Sequence, residues 1–470
     1  MISQFSRLGT WLRPGPISVR RNRAFRPASV LGLDELESRV VPSVTLSVTA
    51  APYYADPSGV ADSSVAIQHC INDVSNAGGG TVFFPTGTYK ISFAGAGRSP
   101  TAYDGLITMR SNVTLAGNGS ANSVIRLANS QGEYFGIFNC GSNGSIANNA
   151  TIQDLTIDQN GPNNQVPGGD SELSGEPRSV IWTFNSSNLT VQRCRFTNLL
   201  DAQAIRTTGP NVHGEMIANN TFDNVGGNSV DFDSSTVYTD CQSATISGNT
   251  FTSRYGPGTK GARTTIEIHG NNQTVTNNTI SGFRCGMFAV DSNLGLGSNN
   301  QLYENNTLTD VGDGFMLWTF TSGLQNVTFR DNNITVNVNG WTGFFDGTGF
   351  HGFVAYSITA SAAIDHVDFI NNTITFTNYA GSSRPGDSYT SGFLLLSLGD
   401  SPTFTNLQIL DNHVNSALGC GIDLDWPING LTVTGNVITD PGSSPAPIDT
   451  EYRSAVRVVN TVQNATVQSS

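Results

Sequence analysis

The chain is short of charge. Only 13% of its 470 residues are Asp, Glu, Lys or Arg, and acids outnumber bases 36 to 23. That balance argues against nucleic acid as a partner, because holding phosphates takes clustered Lys and Arg. A helical solenoid or coiled coil is disfavoured too, since those folds draw on charged helix formers. No apolar run approaches the ~18 residues of a transmembrane segment. No two of the six cysteines (Cys70, Cys140, Cys194, Cys241, Cys285, Cys420) have Cys-x-x-Cys spacing, so zinc and thioredoxin-like readings fail and buried free thiols are expected. His-Glu-x-x-His, P-loop and Gly-x-Ser-x-Gly signatures are also missing. What is present in quantity is Gly, 51 residues, and Phe, 25 residues, a mixture too apolar and aromatic for disorder.

Such a length would ordinarily mean two or three domains, but a repeat grows by adding units along one axis. From about residue 150 one phrase recurs, a short apolar strand followed by apolar-x-x-Asn-x-apolar. Its Asn positions are Asn220, Asn249, Asn278, Asn306, Asn332, Asn372, Asn412 and Asn436, spaced by 29, 29, 28, 26, 40, 40 and 24 residues. Cys194 and Leu155 stand at the same place in two upstream copies. A period near 28 built from short alternating strands is one coil of a parallel β-helix rather than a helical repeat. Asn at a fixed bend can stack and hydrogen-bond along the axis, as in amide ladders. The many Asn-x-Ser/Thr matches are by-products of that phrase.

The ends of the sequence differ from its middle. Residues 1–42 hold seven Arg against three acids, a balance of +4, whereas the remainder holds 16 bases against 33 acids, a balance of −17. Leu33-Asp-Glu-Leu-Glu-Ser-Arg-Val-Val-Pro-Ser43 resembles a segment that opens many exported and surface proteins of some bacteria, departing at Asp34. Residues 1–42 are therefore expected to be a disordered export leader, with 43–470 forming the repeat domain of about ten to twelve coils. Next, Asp62-Ser-Ser-Val-Ala-Ile67-Gln-His-Cys70-Ile71-Asn-Asp-Val74 places apolar residues at helical spacing behind an Asp/Ser cap, predicting a capping helix over about 62–76. Gly78-Gly-Gly-Thr-Val-Phe-Phe-Pro85-Thr-Gly87-Thr-Tyr89 and Ser111-Asn-Val-Thr-Leu-Ala-Gly117 follow. This opening resembles that of the pectate lyase superfamily and the glycoside hydrolase family 28-like proteins. The resemblance implies an all-β, right-handed, single-stranded parallel β-helix of the pectin lyase-like type, its first coil covered by the helix. The likeness is specific over about 55–130 and architectural beyond.

Alternation along the strands before each Asn phrase assigns an outward row. It runs Arg206, Asp231, Asp233, Glu267, His269, Phe288, Met316, Trp318, Val354, Tyr356, Leu394, Asp423, Asp425. With coils ~4.8 Å apart, Asp231 and Glu267 are expected to stack beside Arg206, and like carboxylates that close raise one pKa. Lys260 and Arg263 precede strands of the same row. Insertions at Asp158–Arg178, Val338–Gly349 and Thr377–Ser391 fall at one phase of the coil and carry Trp341, among other aromatics. In the resembling family such loops wall a polysaccharide groove, and Trp318 and Tyr356 would then lie on its floor.

These observations lead to an expected catalytic set of Asp231, Asp233, Glu267, His269 and Arg206, with Lys260, Arg263, Trp318, Tyr356 and Trp341 binding substrate. The polygalacturonase set is not carried over, because the chain has no Asp-Asp pair and Phe350-His351-Gly352 only grazes its Gly-His-Gly. Hydrolysis by two carboxyls fits the row. So does β-elimination, in which Lys260 or His269 takes a proton while Arg206 or a Ca²⁺ ion held by Asp and Glu neutralises a uronate carboxyl. Hydrolysis is slightly favoured, because no Lys stands clearly on the strand row. No metal ligands are assigned, and no other cofactor is called for. The expected function is an exported carbohydrate-active enzyme, secreted or at the cell surface, cleaving an extracellular polysaccharide. The alternative is a non-catalytic glycan-binding or structural surface protein.

Overall fold

The computed structural model describes residues 43–100, 105–141, 146–164, 172–173, 176–200, 202–226, 235–253, 264–291, 297–319, 322–338, 350–357, 363–378, 390–397, 403–442 and 453–468. The expected leader, residues 1–42, lies outside them.

From Ser43 onward the chain winds through three long parallel sheets, of 14, 13 and 12 strands. Each turn of chain adds one strand to each sheet, so sequence neighbours stack along one axis. This is an all-β parallel β-helix. The helix at its N-terminal end spans Ser64–Asn76 and buries Ile67, Cys70, Ile71 and Val74. It packs on the strands Val44–Ser47, Gly80–Phe84 and Val113–Gly117. Its cap differs from expectation. Ser63 occupies the N-cap without a side-chain capping bond. The Ser63 hydroxyl instead accepts from the Asp56 amide at 3.0 Å, while the Asp62 carboxylate accepts from the Ser64 amide at 2.9 Å. Gly80 has a steric reason: its φ is +144°, and a Cβ there would sit 2.2 Å from the Val44 carbonyl oxygen.

The Asn phrase turns the chain from the first sheet into the second. The residue before each ladder Asn is left-handed, with Asn219, Asn277, Asn305 and Asp331 at φ between +54° and +58° and Gly248 at +66°. Asn, Asp and Gly tolerate that conformation, which explains the recurring Asn-Asn, Gly-Asn and Asp-Asn pairs. The ladder itself runs unbroken from Asn220 to Asn436. Asn278 is representative. Its Nδ2 donates to the Asn306 Oδ1 and the Ile246 carbonyl, each at 3.0 Å. Its Oδ1 accepts from the Asn249 backbone and side-chain amides, again at 3.0 Å. Cys194 occupies the slot before the ladder, and its amide donates to the Asn220 Oδ1 at 2.9 Å. All six cysteines are buried and none is in a disulfide.

Inward residues stack in columns. Phe196, Phe222 and Phe251 lie face to face at 4.9 and 4.4 Å between centroids, and Phe315, Phe353 and Phe393 at 5.0 and 5.1 Å. Beside them a glycine column opens the strands of the third sheet. At Gly352 an added Cβ would come within 2.6 Å of the Ile374 side chain and 2.7 Å of the Gly392 carbonyl oxygen. The second and third sheets approach closely there, so only hydrogen fits.

Candidate functional site

The outer face of the third sheet carries the site. Three successive strands, Gln203–Thr208, Val237–Thr239 and Thr264–Ile268, pair in parallel with Arg206 opposite Tyr238 and Tyr238 opposite Glu267. The middle strand is a correction to the sequence reading, which put Asp231 and Asp233 in this row and stacked Asp231 on Glu267. The neighbour of Glu267 is Tyr238. Asp231, Asp233, Lys260, Arg263 and Trp341 lie outside the described residues.

A stack centred on Tyr238 results. The Arg206 guanidinium lies over the Tyr238 ring at 4.8 Å. The His269 ring lies 4.8 Å from the Tyr238 ring, tilted by 36°. Glu267 and His269 are only 3% and 2% exposed and make a pair, Nε2 to Oε1 at 2.9 Å. The other ring nitrogen, Nδ1, is 3.2 Å from the Asp291 carbonyl oxygen. That carbonyl can only accept, so Nδ1 carries a proton. Burial by itself would lower the His269 pKa. The hydrogen bond and charge of Glu267, with Asp240 and the Asp291 carbonyl, outweigh it and raise the pKa above its ordinary value. Both ring nitrogens of His269 are thus engaged, Nδ1 by the Asp291 carbonyl and Nε2 by the Glu267 carboxyl. Glu267 is equally committed, because its second oxygen accepts from the Ser235 hydroxyl.

Asp240 completes the cluster, two strand positions beyond Tyr238. Burial pushes its pKa up, Glu267 adds to the rise, and His269, Thr208 and Arg206 oppose it. Its Oδ1 is buried without a hydrogen-bond partner among the described residues. Behind the sheet sits a further acid. Glu215 is 1% exposed, inside the coil, and accepts from Thr207 Oγ1 at 2.5 Å and Thr239 Oγ1 at 2.8 Å. Burial raises its pKa from 4.5 to about 7, against the pull of both threonines. Thr207 follows Arg206 and Thr239 separates Tyr238 from Asp240, so Glu215 braces the two site strands from within.

Tyr238 and Asp240 were missed because strand alternation alone cannot fix where a strand starts after a long connection. One signal could have found them. Val237 precedes Asn249 by 12 residues, as Ile266 precedes Asn278 by 12. Counting back from the ladder sets the register where alternation does not.

Beyond Glu267 the outer row changes character. Phe288, Met316, Val354 and Leu394 stack in register and form an apolar cluster with Cys285, Val290, Trp318 and Tyr356. Trp318 and Tyr356, expected as an open floor for sugar stacking, are 7% and 4% exposed. Phe288 and Trp318 hold each other at 5.5 Å. The row ends in charge again, where Asp423 is bound by Arg457 at 2.8 Å.

Calcium takes six to eight oxygen ligands. Among the described residues no group of three or more His, Cys, Asp and Glu side chains could hold a metal ion. Of the site carboxylates, Glu267 has both oxygens engaged. The described residues do not fit a calcium site.

The chain is similar to several known proteins. Mannuronan C5-epimerase AlgE6 of Azotobacter vinelandii is 40% identical over 105 residues, 22% of this chain and 11% of that protein. Alginate lyase 7 of the same organism is 35% identical over 137 residues, 29% of this chain and 15% of the relative. The match therefore spans well under a fifth of the length of either. Among solved structures, the tailspike protein of Escherichia coli bacteriophage HK620 in complex with pentasaccharide superposes with a TM-score of 0.64 at 21% identity, covering 85% of this chain and 67% of the tailspike chain. The A-module of AlgE6 gives 0.56 at 19% identity, covering 90% and 99%. At those identities the likeness is one of fold. The family model described as rhamnogalacturonase A/epimerase, pectate lyase-like matches residues 48–288, which is more than half of the chain and takes in Arg206, Glu215, Tyr238, Asp240, Glu267 and His269. The chain belongs to this rhamnogalacturonase A/epimerase, pectate lyase-like family.

Proposed function

We propose that the protein acts outside the cell on an acidic polysaccharide, taking the proton from the sugar carbon beside a uronate carboxyl. One observation carries this reading: Tyr238 lies between the Arg206 guanidinium and the His269 ring, with the buried acid Asp240 two positions along. Arg206 pairs with the uronate carboxylate and stabilises the negative charge that develops on it. Tyr238, as phenolate, takes the proton from C5. Breaking the C4–O bond then forms a C4–C5 double bond, with Asp240, whose pKa burial raises, as the acid that protonates the leaving oxygen. Return of a proton to the opposite face of C5, with the C4–O bond intact, would instead invert that carbon. His269 and Glu267 are positioning residues that fix the Tyr238 ring.

Three points support elimination or inversion over hydrolysis. Both Glu267 oxygens have hydrogen-bond partners, both His269 ring nitrogens are engaged, and mannuronan and alginate, named in two relatives, are polyuronates. Extracellular location accords with such substrates and with the export-like sequence at 33–43. A second reading, a non-catalytic glycan-binding protein, is favoured by the burial not only of Glu267 and His269 but of Tyr238 and Asp240 themselves, 8% and 3% exposed.

The test is a panel of polyuronates and neutral glucans read for new reducing ends, for ultraviolet absorbance of unsaturated ends, and for C5 inversion by proton NMR. The expected result is activity confined to a polyuronate, with Tyr238→Phe lowering turnover about 10²-fold or more at unchanged circular dichroism. Full turnover in Tyr238→Phe overturns the assignment. Binding without turnover on every polymer replaces it with the binding-protein reading.

A further inference from the structure

A second concave site lies on the second sheet. A cleft of about 810 Å³ opens over its first strands, lined by Lys90, Ser92, Arg126, Asn129, Gln131 and Asn163, with neighbouring residues. Small-molecule sites typically measure roughly 300–1,000 Å³. Parallel register puts Asp62, Lys90, Arg126 and Asp158 in one column, with Lys90 directly opposite Arg126.

Like charges directly opposite on a sheet repel, and the acids of the column do not separate these two. The Asp62 carboxylate accepts from Ser92 Oγ at 2.6 Å and the Ser64 amide at 2.9 Å. Asp158 lies on the far side of Arg126, 3.3 Å from its Nε, and Asn160 accepts from Arg126 Nη2 at 3.2 Å. The Lys90 ammonium donates to the Val60 carbonyl and meets no carboxylate among the described residues. Lys90 is one of only two lysines in the chain. Two adjacent cations, ringed by amides and hydroxyls that can donate and accept, form a recognition surface for a carboxylate carried on a polyol.

We propose that this cleft is a second, non-catalytic subsite for a carboxylated saccharide unit, Lys90 and Arg126 holding the carboxylate and the amides the hydroxyls. The proposal rests on the reading that the protein acts on an acidic polysaccharide, and extends it to a separate surface. The two places are linked along the axis. The cleft strand Thr156–Asp158 belongs to the turn of chain that continues to Ser179–Phe184, and this strand pairs with Gln203–Thr208, which carries Arg206.

Calorimetric titration of the full chain with a uronate oligosaccharide, a neutral cello-oligosaccharide and inorganic sulfate tests it. In Lys90→Gln and Arg126→Gln proteins of unchanged melting temperature, uronate affinity at low salt should fall roughly tenfold for each cation removed. The neutral oligosaccharide should bind far more weakly than the uronate to the wild type. An unchanged uronate affinity in the double variant overturns the proposal, and so does sulfate binding as tightly as the oligosaccharide, which would mark an anion site only. Turnover of polymer by the wild type separates the two readings. Activity with cation-independent binding leaves the catalytic assignment standing and sinks the cleft. Cation-dependent binding without activity does the reverse.

Discussion

Replacing Asn278 by Ala tests the device that holds the coils in register. The side chain makes four hydrogen bonds: two donated, to Ile246 and Asn306, and two accepted, both from Asn249. Not all four partners are orphaned by the change. The Asn249 side chain keeps its bond to the Ile217 carbonyl at 2.9 Å, and the Asn306 Oδ1 keeps the Asn278 backbone amide at 3.0 Å. The Asn249 backbone N–H loses its side-chain acceptor. One buried donor left unpaired, with the net loss of the remaining bonds, gives about 2–4 kcal/mol. Asn278→Asp is the sharper probe, being nearly isosteric. It keeps both acceptor bonds but turns a second acceptor oxygen toward the Ile246 carbonyl and the Asn306 Oδ1. At neutral pH it should be less stable than the Ala variant. As pH falls the new carboxyl protonates and can donate, so the deficit should shrink. Denaturant unfolding at neutral and acidic pH, compared at equal m, reads both effects. An Ala variant within about 0.5 kcal/mol of wild type, or an Asp variant more stable than Ala at neutral pH, would refute the reasoning, since surface changes are of that size.

Glu215 gives a pH dependence with a definite sign. Its pKa rises from 4.5 to about 7 on folding, so between those values the native state binds more protons than the unfolded. Stability is full below 4.5 and falls as pH rises through 7, by about 3 kcal/mol at one pKa unit per 1.36 kcal/mol. Glu215→Gln should flatten that slope in pH-dependent denaturation, and an unchanged slope would refute it. Gly352→Ala should destabilise by about 1–3 kcal/mol, the range for forcing an extra methyl into a packed core. Both contacts at that Cβ are under 3.0 Å and one is backbone, so a neutral effect on thermal unfolding would contradict the close approach of the second and third sheets.

Most of the fold was legible because a β-helix repeats its constraints. The ladder Asn, the apolar i, i+3, i+4, i+7 face of the helix and the inward Phe columns each recur or follow a fixed period. A second amide ladder was not read: Asn112, Asn149 and Asn188, all left-handed, bond in series at the exposed corner before the first sheet. Its Asn residues lie among many other polar residues, and no apolar neighbours at fixed spacing mark them. The site was legible in part. Arg206, Glu267 and His269 were placed in the row by alternation, and the structure brings all three together. Val237–Thr239 was not found, because Ser229-Val-Asp-Phe-Asp233 alternates equally well and period 2 carries no absolute phase. The chemical roles shifted for a reason no sequence shows. Whether His269 can act as a base depends on what its second nitrogen touches, and that is a carbonyl 22 residues away.

The repeat also indicates where to look for function. The ladder, the glycine column and the inward Phe stacks recur over many coils, since each has the same work to do at every level of the stack. The outer row of the third sheet does not recur. It begins with Arg206, Tyr238 and Glu267, passes through Phe288, Met316, Val354 and Leu394, and ends with Asp423 and Arg457. Nothing in the fold requires this variation, because the inward alternation already buries the core. The polar ends are also costly. Asp240 and Asp423 are both buried, burial raises both pKa values, and each has an oxygen without a partner among the described residues. Thr or Val would meet the structural need at either place without desolvating a carboxyl. Departures from a local rule that lower stability and recur nowhere else in the stack belong to function. By that measure the Arg206–Tyr238–Asp240 cluster is the better founded of the two ends, since Asp423 has Arg457 as a direct ion-pair partner and Asp240 has none among the described residues.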